Sequence, residues 1–447
     1  MPTPSRLAVC SLLVMACSSP ADPELAPELA SEASPTPPPL AAGLESVAGS
    51  WRFELDSPGG ALPFFVSINE KGASLVDHAE RLEFSSAEFD GETLRLEREH
   101  YDSTLEGKVI RAPDGQLSFD GQWRRRSPGK NAYTVMVARA EQREQAPRFV
   151  EGPSEEFAGR WRLTFTEKDG ATFAGVAEFE PERPRRGPAA VVGTIKTESG
   201  DYRYLQGGFY GQELKLSVFD GAHAFLIRAT RKDDGSLTGD FWSRDTYHVT
   251  FVGETIAEGA DASLRDAFGL TQLTSPDQRF RFDFPKLGGG RLRHDDPTLK
   301  GKPLVVEIFG SWCPNCNDQA PLMSQWYDEY HPKGLEMVGI AFEFTGEENS
   351  DMQMLERYRE TYEVAYPLIL GGTQDKKEAA AQMPDLSAVV AYPTTLFVDA
   401  EGRVQSVYTG FSGPATGEEH EALKAEFRER MDALVAGGIA NSSDQGQ

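Results

Sequence analysis

The chain has 447 residues, which at about 150 residues per domain allows two to four domains, each able to bury a core of its own. Hydrophobic residues make up 39%, charged residues 26% and aromatic residues 10%, ordinary globular usage that excludes wholesale disorder and a polytopic membrane protein. Asp and Glu number 70 against 45 Lys and Arg, a formal charge of −25, which repels phosphate backbones and sets nucleic acid aside as a partner. The cysteines stand only at 10, 17, 313 and 316, too few for a disulfide framework.

Arg6 precedes a largely apolar run from Leu7 to Ala16, which meets Cys17 in Val14-Met15-Ala16-Cys17. A run of about ten falls short of the about 20 helical residues that cross a bilayer core, so the segment reads as a secretion signal. It resembles a bacterial lipoprotein signal, with a small residue before an obligatory Cys; an ordinary signal peptide with an incidental Cys is the alternative. The resemblance implies cleavage of residues 1–16, lipid on Cys17 and, with Ser18 rather than Asp next, an outer-membrane site facing the periplasm. The mature soluble part then keeps only Cys313 and Cys316. Residues 17–43 are rich in Pro, Ala, Ser and Glu and read as a flexible tether.

Residues 44–147 and 154–257 form an internal repeat. Ala48-Gly49-Ser50-Trp51-Arg52-Phe53 recurs as Ala158-Gly159-Arg160-Trp161-Arg162-Leu163, and Gly91-Glu92-Thr93-Leu94 as Gly211-Gln212-Glu213-Leu214. Asp114-Gly115-Gln116-Leu117 recurs as Asp234-Gly235-Ser236-Leu237, and each copy then reaches a Trp, Trp123 or Trp242. Period-two stretches between Asp-Gly and Gly-Gln turns predict two tandem all-β domains, each an antiparallel sandwich or barrel. His78, His100, His223 and His248 lack metal-ligand spacing and read as surface or satisfied core residues. The paired tryptophans read as core, and Arg124-Arg125-Arg126 and Arg183-Pro184-Arg185-Arg186 as solvated loops.

From residue 261 to 437 strands alternate with helices, the mark of an α/β domain; residues 438–447 read as a disordered tail. Leu304–Phe309 suits a buried central strand, Gly310-Ser311-Trp312-Cys313-Pro314-Asn315-Cys316 follows it, and a helix continues through 318–330 with an expected kink at Pro321. Strand, helix, strand and helix then fall near 335–342, 350–362, 366–370 and 375–382. Strands at 394–399 and 404–409 and a helix at 417–435 close the domain.

Side chains three apart at a helix start lie about 5–6 Å apart, close enough for a disulfide to form and break. The unpaired N–H groups and dipole of a helix N-terminus favour a thiolate, so Cys313 is the expected nucleophile. Cys316, deeper in the helix, resolves the mixed disulfide by attacking Cys313. Together with Pro321 and Tyr392-Pro393-Thr394-Thr395-Leu396-Phe397-Val398-Asp399, this motif resembles the TlpA-like members of the thioredoxin superfamily over residues 270–436. The resemblance implies a thioredoxin-like fold and a thiol-disulfide oxidoreductase that works without a cofactor on a protein disulfide or dithiol, supplied by a membrane electron donor. It also implies a cis Pro393 facing the dithiol, so that Trp312, Pro314, Tyr392 and Pro393 contact substrate. Glu307 stands where thioredoxins carry a buried acid; among apolar neighbours its pKa should rise, and it is the candidate proton acceptor for Cys316. Gln319 replaces the Glu that many relatives have three residues after the second Cys.

A zinc site needs four ligands, and no second Cys pair or His pair accompanies the motif. A peroxiredoxin needs Thr or Ser three residues and Pro seven residues before its reactive Cys, where this chain has Gly310 and Val306. Gly288-Gly289-Gly290 is not followed by a Lys-Ser or Lys-Thr pair, so it reads as a loop and not a phosphate cradle. The remaining alternative is an envelope binding or scaffolding lipoprotein whose β repeats recognise a partner.

Overall fold

A computed structural model describes residues 40–77, 80–129, 132–143, 149, 157–182, 190–210, 213–260, 262, 264–275 and 277–437. Cys10 and Cys17 with the signal and most of the tether, His78, the Arg183–Arg186 stretch and the 438–447 tail lie outside the described residues. No described helix is long and apolar enough to cross a membrane.

The first β region is a nine-stranded antiparallel meander running from Gly49–Ser57 to Tyr133–Gln142, and those first and last strands pair with each other in the middle of the sheet. Its two ends, Arg81–Glu83 and Ser86–Phe89, do not pair. The chain itself steps across the gap, with Phe84 N–H donating to Ala73 O and Ser85 N–H to Glu97 O. The second region, from Gly159–Thr166 to Tyr247–Thr255, is an eight-stranded barrel closed by pairing of Thr172–Glu182 with Ala190–Thr197, with the short strand Gly200–Asp201 at its side. At the closing pair the backbones run very near: a Cβ on Gly193 would lie 1.9 Å from Glu178 O.

The barrel fills its own interior with Leu163, Phe165, Ile195, Leu216 and Phe241 among others. The open sheet does not, and its core takes Phe219, Ala224 and Leu226 from the barrel. Phe219 packs on Phe64 and Trp123 at ring distances of 4.1 and 5.1 Å. An open curved sheet leaves an apolar concave face, and covering it with a neighbour is the alternative to closing it.

The C-terminal domain contains β1 (Leu304–Phe309), α1 (Pro314–Tyr330), β2 (Glu336–Glu343), α2 (Glu348–Thr361), β3 (Leu368–Thr373), α3 (Lys376–Gln382), β4 (Thr394–Val398), β5 (Val404–Thr409) and α4 (Glu418–Val435). The sheet order is β3-β2-β1-β4-β5, parallel through β3, β2 and β1 and antiparallel through β4 and β5. This is the expected thioredoxin-like α/β domain, and β1 is wholly buried at its centre. Helix α1 continues unbroken through Pro321 and packs on α4 through Trp326 and Phe427. A hairpin of Asp283–Pro285 and Arg291–Arg293, turning at Gly288-Gly289-Gly290, lies against β3 through Leu287 N–H to Leu368 O. Its strands are three residues long, too short for a periodic signal.

One side chain joins all three parts. Arg203 of the barrel region pairs with Glu80 of the first sheet, Asp318 of α1 and Asp220. Burial raises the Asp318 carboxyl to about 7 against the pull of Arg203. Burial also opposes ionisation of Asp220, yet His223 and Arg203 hold it well below the usual carboxylate range.

Candidate active site

Strand β1 ends at Phe309, and residues 310–312 carry the chain from the sheet edge to the start of α1. Ser311 is fixed there by Glu343 at the end of β2, which accepts from its N–H at 2.8 Å and its hydroxyl at 2.7 Å. Trp312 Nε1 donates to Phe342 O at 2.7 Å. Asn317 ties the turn to the helix by donating from Nδ2 to Ser311 O and Cys313 O. Cys313 is the N-cap of α1 with extended backbone, and Pro314 opens the helix where its missing N–H costs nothing.

Both cysteines are free thiols; Cys313 is 6% exposed and Cys316 fully buried. The Cys313 thiol donates to Tyr392 O at 3.5 Å, and the Tyr392–Pro393 bond is cis. Tyr392 packs edge-on against Trp312. Cys316 has its thiol pKa raised well above the ordinary value by burial and by its hydrogen bond with Cys313. Glu307, in the middle of β1, is fully buried and raised to about 8 by desolvation, against one hydrogen bond from Tyr366 Oη at 3.2 Å. Among the described residues its Oε1 has no hydrogen-bond partner. Gln319 is fully buried and donates to Thr395 Oγ1 at 3.1 Å, linking α1 to β4 two residues beyond Pro393.

The structure therefore brings together Cys313, Cys316, Glu307, Trp312, Pro314, Tyr392 and Pro393, and it adds residues that the motif search missed. Glu343 is a second buried acid, raised to about 8 by desolvation against its bonds from Ser311. Lys376 of α3 has its pKa lowered by burial and pulled back up by Cys313. The largest miss is Arg125. The Arg124–Arg126 run lies in the strand Leu117–Arg126 and not in a loop, with Arg125 turned inward and 3% exposed. It reaches across to the redox domain and donates from Nη2 to Trp312 O at 2.8 Å. Period-two alternation held the signal: Trp123 faces the core, so Arg125, two residues on, shares its face.

The barrel also touches the motif. Asn315 Nδ2 donates to Ser199 O at 3.4 Å, and a Cβ on Gly200 would lie 1.8 Å from that Nδ2. Trp123 is buried, with Nε1 donating to Ser103 Oγ, while Trp242 is only half-buried, stacked on His248 and packed against the first sheet's core. His100 is buried with its Nδ1 unpartnered, which differs from the satisfied histidine expected, and His223 pairs with Asp220 at 3.1 Å.

A dithiol three residues apart at a helix start, facing a cis-proline in a thioredoxin-like sheet, defines a thiol-disulfide exchange protein. The AhpC/TSA family model matches residues 277–407, a span that holds both cysteines and Pro393. The chain is 30% identical over 129 residues to the thioredoxin-like protein YneN of Bacillus subtilis, spanning 29% of this chain and 68% of that protein. It is 27% identical over 165 residues to the thiol-disulfide oxidoreductase ResA of the same organism, spanning 37% and 74%. Among solved structures, a thioredoxin-family thiol:disulfide interchange protein from Chlorobium tepidum covers 36% of this chain and 98% of its own, at 23% identity and a TM-score of 0.28. The chain belongs to the thioredoxin-like family of these relatives, and it is a thiol-disulfide oxidoreductase.

Proposed function

We propose that this protein reduces disulfides of envelope proteins through Cys313 and Cys316 while tethered to the membrane by lipid on Cys17. The observation that carries the reading is the placement of Cys313 at the start of α1, 3.5 Å from Tyr392 O, with Cys316 and Glu307 buried behind it. The Cys313 thiolate attacks the substrate disulfide and releases one substrate thiolate. Glu307 accepts the Cys316 proton, and Cys316 attacks the Cys313 sulfur, releasing the second substrate thiolate and leaving the pair oxidised. A base at Cys316 serves this resolving attack, and its conjugate acid serves the reverse step equally, so the redox potential sets the direction. A membrane electron donor returns the pair to the dithiol.

Thiol trapping of the full chain across dithiothreitol and glutathione buffers tests the direction. A potential near about −270 mV supports a reductase, and one near about −120 mV reverses the reading to disulfide formation. Loss of palmitate labelling on Cys17→Ala, with the protein released from membranes, tests the anchor; unchanged labelling overturns it. A peroxidase is disfavoured by Gly310 and Val306, which stand where its Thr or Ser and its Pro are needed.

A further inference from the structure

Beside the dithiol lies a cleft of about 480 Å³ walled by all three parts of the molecule, including Arg125 of the first sheet, Tyr202, His223 and Arg244 of the barrel region, and Trp312 and Phe344 of the redox domain. That volume suits a few side chains of a peptide or a small ligand. Its aromatic walls are ordinary for a binding cleft, but its charges are not. Arg125 is almost wholly buried over the rings of Tyr101 and Phe344; among the described residues its Nε has no hydrogen-bond partner, its Nη2 bonds a neutral carbonyl, and no carboxylate pairs with it. Arg244 sits at the tip of a tight turn with φ 58, in the left-handed region that a side-chain-bearing residue seldom occupies. Among the described residues its guanidinium has neither a hydrogen-bond nor an ion-pair partner, and only the adjacent Asp245 offsets its charge. Asp220, the other carboxylate nearby, is already engaged by Arg203 and His223.

The two guanidinium groups also repel each other. Burial, with Arg244 adding to it, lowers the Arg125 pKa to about 9 against the pull of Asp220. Two cations without a carboxylate partner facing one cleft, Arg125 buried and Arg244 part-buried, cost free energy that an incoming anion recovers. The chain as a whole carries −25, so this cleft is a local exception to a field that repels anions.

We propose that the cleft binds a carboxylate of the disulfide substrate between Arg125 and Arg244, beside Trp312 and Pro314, the residues on either side of Cys313. The proposal rests on the redox reading above and names what that site recognises: a disulfide with a carboxylate a few atoms away. The carboxylate belongs to an acidic residue beside a polypeptide disulfide or to a small disulfide such as oxidised glutathione. The exchange is as written above, two electrons passing from the protein dithiol to the substrate. One turnover of the pre-reduced protein therefore needs no added reductant.

The test is single-turnover oxidation of the pre-reduced full chain by two matched pairs: a disulfide peptide flanked by Glu or by Gln, and oxidised glutathione or hydroxyethyl disulfide. Each rate is divided by that of free dithiothreitol with the same disulfide. The acidic member should react about ten-fold faster, the worth of one charge-assisted hydrogen bond. Arg244→Gln should bring the ratio close to one, and Arg244→Lys should keep part of it. A preference in the peptide pair assigns the carboxylate to a polypeptide, and one in the glutathione pair alone assigns it to a small thiol; either supports the proposal. Equal rates within both pairs, or a full preference retained by Arg244→Gln, overturn it while the redox reading stands. No oxidation by any of the four overturns both.

Discussion

The two β regions carry the same markers and close differently. Trp51 and Trp161 hold one place in both, each buried and donating from Nε1 to the carbonyl four residues back, Val47 O at 2.8 Å and Phe157 O at 3.0 Å. Closure is where they part: the barrel joins its ends through Thr172–Glu182 and Ala190–Thr197, while the first sheet leaves its ends apart and borrows Phe219 and Leu226. Contacts within a few residues thus survive in both copies, whereas long-range pairing depends on backbones that only small residues let approach. The difference also divides the contributions to the redox site. The open copy supplies Arg125, and the closed copy supplies Arg203, Arg244 and the Ser199 contact.

The comparison breaks most completely if the β regions act without the dithiol. Cys313→Ser should abolish disulfide reduction, and Cys316→Ser should trap a mixed disulfide visible on non-reducing gels; a phenotype that survives both would return the scaffolding reading. Next comes the clamp between the copies. Arg203→Met leaves Glu80, Asp220 and Asp318 without their shared cation and should destabilise the fold by about 3–5 kcal/mol in urea unfolding. A loss below about 1 kcal/mol would mean that the network is not coupled to folding.

Glu307→Gln should slow the resolving step about 10²-fold and remove its rise toward pH 8, read by quench-flow trapping of the mixed disulfide. Its stability effect has a fixed sign. The folded carboxyl titrates at about 8 and the unfolded one near its ordinary value, so the folded state binds more protons in between. Stability is full below the unfolded pKa and falls as pH rises through that window, at most by about 1.4 kcal/mol per pH unit for this group. The variant should flatten that slope, and an unchanged slope would place the titration elsewhere. The smallest effect sharpens the comparison itself. Trp51→Phe and Trp161→Phe each remove one buried hydrogen bond and should cost about 1–2 kcal/mol apiece. Unequal costs would show that one copy has moved its load to the neighbour.

Much of the redox domain was legible because its strands are apolar runs with clear punctuation and its chemistry occupies contiguous residues. Cys313, Cys316 and the cis Pro393 each announce themselves in a short motif, and Glu307 stands out as one charge in an apolar strand. Arg125 and Arg244 did not, since a basic residue on a β region has no motif that links it to a site far along the chain. His100 read as satisfied because nothing local shows which groups meet it when the domains pack. The split fate of Trp123 and Trp242 is a matter of register: Trp123 stands nine residues after Asp114 and Trp242 eight after Asp234, so strand alternation turns Trp123 into the first sheet's core and Trp242 outward from the barrel onto that same sheet.

The sequence alone made the local arrangement of this protein legible: which two thiols stand three apart at the start of one helix, which strands lie buried, and which markers the two β regions repeat. Those follow from side-chain periods and from spacings of a few residues, where the backbone leaves little choice. Only the tertiary structure decided that one copy opens and the other closes, that Arg203 binds three carboxylates at once, and that Arg125 and Arg244 share a cleft with Trp312 and Pro314. Each of these depends on groups separated by tens to hundreds of residues, whose distances are set by sheet pairing and shared burial and not by the chain between them.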